Sequence, residues 1–556
     1  MSDPFRTEQA RHVFHDKYAL TQAETWHQRA LTIVDDVCGT RSGRLAPIMA
    51  ASDRDFLGHC ISGMKFLPGG RYIYYAGRDA QFFNNCFLLR AEEDTREEWG
   101  ALTHRATDCL MSGGGIGVDY SRIRPRGRLL RRTGGSASGP LPLMQIINEM
   151  GRNVMQGGSR RSAIYASLNW MHDDAKEFLH AKDWHKLPIG SNGYTVWDAK
   201  MADFNYPAPL DMTNISLNYD DNFKDLVEND GPPDIFLENV RQALSSGEPG
   251  FSFNFGDKQN ETLRNACTEV TSEDDSDVCN LGSVNMGAID SLAEFQDVVS
   301  VASKFLVCGT LRADLPYHKV KQVREKNRRL GLGLMGVHEW LLKRGYKYQM
   351  CDELAKWLTV YEDESKRSAD AHCSRFFLST PKAYRAIAPT GSIGILASTT
   401  TGIEPLYAVA YKRRRLLKGD RWHYEYVVDG TAQTLIQELG VDPETIETAA
   451  DLASDPERRI KFQAEVQDYV DMSISSTVNI PAWDSTVENE EAVRNIAGII
   501  TRYAPRLRGL TFYPDGARGG QPLTRVEYAT AIKHKGVVFE ENDICSITGK
   551  GGTCGA

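Results

Sequence analysis

Apolar and polar positions first interleave at helical spacing. The opening SDPFRTEQARHVF sets a candidate N-cap and a proline ahead of mixed charged and apolar residues, and residues 1–60 read as helical. From about residue 65 the runs shorten. KFLPGGRYIYYAG and NNCFLLR have strand character and are bounded by Gly, Asn and Pro. Between 140 and 480 such runs alternate with longer amphipathic stretches, among them LPLMQIINEMGRNVM and DELAKWLTVYEDESKRSADAHC, which predict helices. Strand alternating with helix predicts an α/β protein with mostly parallel strands. Residues 441–500 add helical pattern rich in Glu and Asp. After about 520 the periodicity fades, and ENDICSITGKGGTCGA is glycine-rich and expected to be mobile.

Composition narrows this picture. The chain has 556 residues, 41% hydrophobic and 25% charged, an ordinary globular balance. A net charge of −9 argues against a protein that coats nucleic acid. No apolar run reaches the ~20 residues of a membrane span, and the N-terminus lacks a signal-like apolar core, so a cytoplasmic protein is expected. Eleven cysteines are too sparse for a disulfide scaffold. No C-x-x-C occurs, so neither a zinc ribbon nor a thioredoxin-like site is expected, and no metal ligands are assigned. Cys38, Cys60 and Cys308 read as small buried groups.

Several stretches carry candidate chemistry. In RNACTEVTSEDDSDVCNLGSVNMG (264–287), Asn265, Cys267 and Glu269 occupy alternate positions and Cys279 follows. On an extended stretch, alternate residues project to one side and would converge on one small polar ligand. A carboxylate can be a general base, an amide can bind hydroxyls, and a thiol can be nucleophile or radical carrier. Alone the pattern is short, and an ordinary polar loop is the better reading of it. Cys86 opens the apolar run NNCFLLR, where a thiol is as often core filler as reactant. Cys545 and Cys554 lie among glycines, a poor place for buried thiols and a good one for an exchangeable pair. APTGSIGILASTTTGIEPLY (388–407) contains a hydroxyl- and glycine-rich turn, Pro389, Thr390, Gly391, Ser392 and Ile393. A helix following it would offer free N–H groups to an anion. SGGGIGVDYSRIRPRG (112–127) and the later GGSRRSA set glycines that admit close approach beside arginines suited to phosphate.

Two look-alikes fail. GLGLMG (331–336) matches a dinucleotide fingerprint, but the charged, helix-like KVKQVREKNRR precedes it where a buried strand is required. DWHKLPIG (183–190) has one residue too many for a corrinoid D-x-H-x-x-G, so His185 is not assigned as a cobalt ligand.

In order, N-C-F, GGGIG with SRIRPRG, GGSRRSA, N-x-C-x-E, C-N-L-G-S-V-N, PTGSI with GIEP and a cysteine-bearing tail resemble the catalytic subunit of ribonucleotide reductases. The resemblance covers roughly residues 65–520 and the tail. It implies a ten-stranded α/β barrel, two five-stranded parallel halves set antiparallel around a central finger loop. The implied division is a helical N-terminal region over 1–64 without the family's ATP cone, a catalytic barrel over 65–520, and a segment over 521–556 ending in redox cysteines.

The resemblance also implies roles. Cys267 would become a thiyl radical that takes the ribose 3′-hydrogen, Glu269 would take the 3′-hydroxyl proton, and Asn265 would hold the sugar hydroxyls. Cys86 and Cys279 would be the reducing dithiol, recharged by Cys545 and Cys554 and in turn by thioredoxin or glutaredoxin. Pro389–Ile393 would hold the substrate phosphates. Gly158, Ser159, Arg160 and Arg161 would form the specificity loop, and Asp94 would serve the site for a deoxynucleoside triphosphate or ATP effector. Aerobic relatives with a separate metal subunit carry adjacent tyrosines, whereas RGLTFYPDGARGG has Phe512 before Tyr513. The stretch is similar to the cobalamin-dependent members, which implies adenosylcobalamin as cofactor, with a class I large subunit as the rival. A homodimer acting on ribonucleoside diphosphates is the implied form.

Overall fold

The computed structural model describes residues 4–130, 134–154, 162–191, 193–203, 205–417, 421–484, 489–515, 523–535 and 537–540. Helices cover Glu8–Lys17, Trp26–Cys38 and Ala51–Ser62, as the N-terminal pattern predicts. Thr25 and Gln28 close a capping box on the second, a contribution of about 1 kcal/mol. Strand β1 (Phe66–Pro68) follows, but RYIYY is helical, over Gly70–Tyr75, where strand was expected. Its aromatics are claimed by tertiary packing: Tyr72 stacks on Phe83 and meets Phe305, which outweighs β propensity.

Strand and helix then alternate as expected. β2 (Cys86–Arg90), β3 (Gly115–Asp119), β4 (Ile164–Asn169), β5 (Thr213–Tyr219) and β6 (Gly250–Phe253) are parallel neighbours in that order. The short antiparallel pair β7 (Leu263–Arg264) and β8 (Thr271–Ser272) brackets a loop. β9 (Asp277–Asn285) and β10 (Leu330–Met335) run parallel to each other. β11 (Ala410–Leu417) and β12 (Arg421–Val428) form a hairpin outside the main sheet. β13 (Thr477–Ile480) and β14 (Gly509–Pro514) are again parallel. β15 (Leu523–Arg525) and β16 (Val538–Glu540) flank the hairpin in a second sheet.

Two antiparallel seams, β2 on β9 and β6 on β14, join the parallel sets into a ten-stranded sheet that also includes β1. This is the α/β architecture expected from the sequence. The regular ladder does not close into a barrel among the described residues. Between β10 and β13 only isolated bridges, Leu332 to Arg385 and Ile387 to Ile474, carry the pairing.

The two faces of each strand separate cleanly. Cys86 and Leu88 of β2 face an inner cluster with Leu263, Val270, Cys279, Leu281 and Met472, while Phe87 and Leu89 face an outer layer. Helices cover that outer layer, so both faces of the strands are buried. β9 is polar in sequence yet buried along its whole length. Its Asp277 accepts from Arg329 Nε at 2.9 Å and Asn327 Nδ2 at 2.8 Å, which offsets the cost of burying the charge. GLGLMG forms β10 and its following turn, and a helix, His318–Asn327, precedes it, so the dinucleotide reading fails for the reason its flank gave. The N-terminal helices share one hydrophobic core with helices Leu292–Arg312 and Asp352–Arg375. No helix among the described residues is long and apolar enough to cross a membrane.

Candidate active site

The loop between β7 and β8 reaches into the sheet's inner face, and its base is anchored by one buried cation. The Arg264 guanidinium donates to the carbonyls of Glu261, Leu263, Phe253 and Arg508, and to Asn254 Oδ1 at 2.6 Å. Burial, with Arg508 nearby, pushes this guanidinium down to about 9, so its acceptors are what keep the charge tolerable. Gly117 on β3 makes the room: a Cβ there would overlap the carbonyl oxygen of Arg264. The glycine run thus admits this loop, where the sequence pointed to a phosphate. The arginines after it are engaged by carboxylates, Arg122 by Glu92, Arg124 by Asp94, Arg126 by Glu177 and Arg128 by Asp173.

At the tip, Thr268 N donates to Asn265 O at 3.0 Å and Thr268 takes a left-handed φ of 70°. Asn265 Oδ1 accepts from Val270 N at 2.9 Å, and Glu269 O from Ser473 N at 2.8 Å. Asn265 and Glu269 therefore meet through a tight turn, not through the alternation of an extended stretch.

The strand register supplies the other thiols. Cys86 lies opposite Cys279 across the β2–β9 seam. Asn265 Nδ2 donates to Cys86 Sγ at 3.0 Å. Glu269 is 1% exposed, and its Oε2 has no hydrogen-bond partner among the described residues. Burial pushes its carboxyl up to about 7, against a hydrogen bond from Asn265. Burial, then the charges of Glu269 and Cys267, hold the Cys86 thiol well above its ordinary value. Burial, Asp277 and Glu269 do the same at Cys279. Cys267 is half-buried.

One cleft of about 350 Å³ gathers these groups: Cys86, Cys267 and Glu269 line it together with Leu281–Ser283 and residues 388–393. The turn expected to hold phosphate therefore faces the same space as the thiols. Thr390 sits there at φ 53°, its hydroxyl accepting from Gly402 N at 2.8 Å, ahead of helix Gly391–Ala397. Tyr18, Gly70, Arg71 and Asn85 also line the cleft and were not singled out from the sequence. LPGGR, shortly before NNC, is a usable signal for the middle two; Tyr18 arrives from the end of the first helix with no local signature. Asp94 does not line the cleft. Gly158, Ser159, Arg160 and Arg161, and the tail cysteines Cys545 and Cys554, lie outside the described residues.

Residues 84–357 and 382–503 match the ribonucleotide reductase barrel domain. The chain belongs to the ribonucleotide reductase family. It is 27% identical to a vitamin B12-dependent ribonucleoside-diphosphate reductase of Mycobacterium tuberculosis, over 84% of this chain and 72% of that one. A protein of the same description from Thermoplasma acidophilum is 25% identical over 84% of this chain and 65% of its own. A putative adenosylcobalamin-dependent ribonucleoside-triphosphate reductase of Mycobacterium phage D29 is 26% identical over 79% and 73%. The matched part of this reductase begins two residues before Cys86 and takes in the whole β7–β8 loop.

Proposed function

We propose that this reductase converts ribonucleotides to 2′-deoxyribonucleotides by thiyl-radical chemistry, with adenosylcobalamin as its cofactor. The observation that carries the reading is the register of Cys86 against Cys279, with Cys267 and Glu269 opening on the same cleft.

The residues around Cys267 suit the cofactor. Cys267 is the least buried of the three thiols, and Gly113, Gly115, Ala163 and Ala266 beside it are small. A Cβ on Gly115 would come within 3.1 Å of the Ala266 Cβ, filling space the cleft now keeps. These residues would lie against the cofactor's reactive end, which supplies, when bound, the organic radical that draws hydrogen from a thiol.

Cys267, as a thiyl radical, takes the ribose 3′-hydrogen and later returns it. Glu269 takes the 3′-hydroxyl proton; its Oε2 has acceptor capacity to spare, and a carboxyl near 7 is matched to neutral pH. Asn265 holds the sugar hydroxyls while its carbonyl pins the loop. Cys86 and Cys279, kept protonated by burial and by Glu269, give up two protons and two electrons as the 2′-hydroxyl leaves as water, and end as a disulfide. Pro389–Ile393 hold the phosphates, with diphosphates as the proposed substrates. Cys545 and Cys554 exchange with the catalytic disulfide and are recharged by thioredoxin or glutaredoxin. Asp94 and the loop 158–161 take a deoxynucleoside triphosphate or ATP effector in a homodimer. The N-terminal 1–64, barrel 65–520 and tail 521–556 divide the work in that order.

A class I reading is not favoured. Phe512 is 1% exposed in the outer layer, against Phe251, and has no phenol to pass a hole to Cys267. The decisive assay mixes the chain with adenosylcobalamin, dithiothreitol, an effector and CDP or CTP. Deoxynucleotide should form with no second subunit; turnover that needs an added metal subunit would overturn the proposal.

A further inference from the structure

A second cysteine pair lies outside the catalytic cleft, where three helices converge. Cys38 is the last residue of helix Trp26–Cys38, Cys308 lies in Leu292–Arg312, and His372 in Asp352–Arg375. They are 0%, 0% and 5% exposed. The Cys38 thiol hydrogen-bonds the Cys308 sulfur, and His372 Nε2 lies 3.4 Å from that sulfur.

Burial opposes a thiolate at Cys308, but the hydrogen bonds from Cys38 and His372 outweigh it and lower its pKa. Burial and the hydrogen bond to Cys308 raise Cys38. One sulfur is thus prepared as nucleophile while its neighbour keeps the proton. Cys60, in the same hydrophobic core, shows the contrasting case of a packing thiol, pushed up to about 12 by burial.

The cover over this pair is a surface loop. Cys308 Sγ lies 3.7 Å from Ile48 O, at the end of the loop 39–48. Ile48 N donates to Cys38 O at 2.9 Å, and Arg312 Nη2 donates to Ala46 O at 2.7 Å and Gly39 O at 3.3 Å. Arg41, Ser42 and Gly43 run through it at positive φ. Asp35 also accepts from Thr40 N, Thr40 Oγ1 and Ser42 N, and Arg41 donates to Asp79 O. Residues 42–47 are exposed, and a surface loop of this kind opens more readily than the helices beneath it.

We propose that Cys38 and Cys308 form a peroxide-reactive thiol pair that closes to a disulfide, with His372 as its positioning residue. The Cys308 thiolate attacks hydrogen peroxide; an S–O bond forms, the O–O bond breaks, and hydroxide leaves to take up the proton Cys308 gave. The Cys38 thiol then attacks the Cys308 sulfenic acid; the S–S bond forms and the hydroxyl leaves with the Cys38 proton as water. Two thiols lose two electrons in total, and one peroxide becomes two waters. The sulfurs close from hydrogen-bond contact to ~2.05 Å, which Cys38 can accommodate at a helix end followed by Gly39. The bond would tie an N-terminal helix to helix Leu292–Arg312, whose Leu306 carbonyl accepts from Asn280, the neighbour of Cys279.

The test treats the reduced full-length chain with hydrogen peroxide, alkylates what remains and maps peptides without reductant. The expected product joins the Cys38 and Cys308 peptides, two hydrogens lighter, and is restored by dithiothreitol. C38S should instead leave a dimedone-reactive sulfenic acid at Cys308. H372Q should slow the joining about tenfold, the worth of one pKa unit of thiolate stabilisation, without altering oxidation of Cys86 and Cys279. Two alkylated thiols at 38 and 308 after the catalytic pair has oxidised would overturn the proposal, as would an unchanged rate in H372Q. Either failure would leave the reading of the catalytic cleft intact.

Discussion

The protein holds two buried pairs of cysteines in opposite electrostatic settings. Cys86 and Cys279 face each other across antiparallel strands, and Cys38 and Cys308 meet between helices. All four are withdrawn from water, so desolvation raises every one of them. Their neighbours separate them. Beside Glu269 the Cys86–Cys279 pair stays protonated, which suits the hydrogen-donating role proposed for it. Beside His372 and its own partner, Cys308 gains thiolate character instead. Burial alone does not make a cysteine inert or reactive; the groups that face it and hydrogen-bond it decide.

The comparison breaks first at Cys267. Replacement by Ser should abolish deoxynucleotide formation and leave the melting temperature nearly unchanged, since the residue is only half-buried; retained turnover would end the radical assignment. Glu269→Gln comes next, with an expected fall in kcat of about 10²–10⁴-fold, the usual worth of a positioned base. In the native enzyme turnover should rise with pH through about 7 as Glu269 ionises, and the variant should lack that limb.

The same substitution sharpens the contrast in two further ways. With the carboxylate gone, iodoacetamide should alkylate Cys86 faster at pH 8, while Cys308 keeps its rate. Stability carries the sign as well. A carboxyl raised from 4.5 to about 7 favours the fold below 4.5, and that favour is lost as pH rises through 7. Glu269→Gln should therefore raise the melting temperature at pH 8 more than at pH 5.

Gly117→Ala tests whether the loop's seat matters. Its Cβ would collide with the Arg264 carbonyl, and the displaced loop should cost about 10²-fold in kcat. A structure of the variant should show the loop lifted from β3. The smallest effect belongs to Cys38→Ser, which should leave dithiothreitol-driven turnover within about twofold, as for exchange of a group outside the cleft.

Much of this architecture was legible because it repeats simple patterns. Strand alternating with helix indicated the parallel sets. Of the residues in the ordered motifs, Cys86, Cys267, Glu269 and the 389–393 turn line one cleft, while Asn265 and Cys279 adjoin it through Cys86. Contacts between distant segments were not legible. RYIYY reads as strand until Tyr72 meets Phe305, far along the chain. GGGIG reads as a ligand loop until Gly117 is seen to admit Arg264. Cys308 reads as filler because nothing near it in sequence announces His372, supplied by another helix. Tyr18 reaches the cleft for the same reason, through packing alone.

Arg264 reaches the carbonyl of Arg508, 244 residues further along the chain. Until those two segments meet, the chain has the thiols proposed for the radical centre but an incomplete seat for the loop that carries Cys267. The proposed radical chemistry is thereby tied to a meeting of distant parts of the chain: where that contact has not formed, the Cys267 loop lacks one of its anchors.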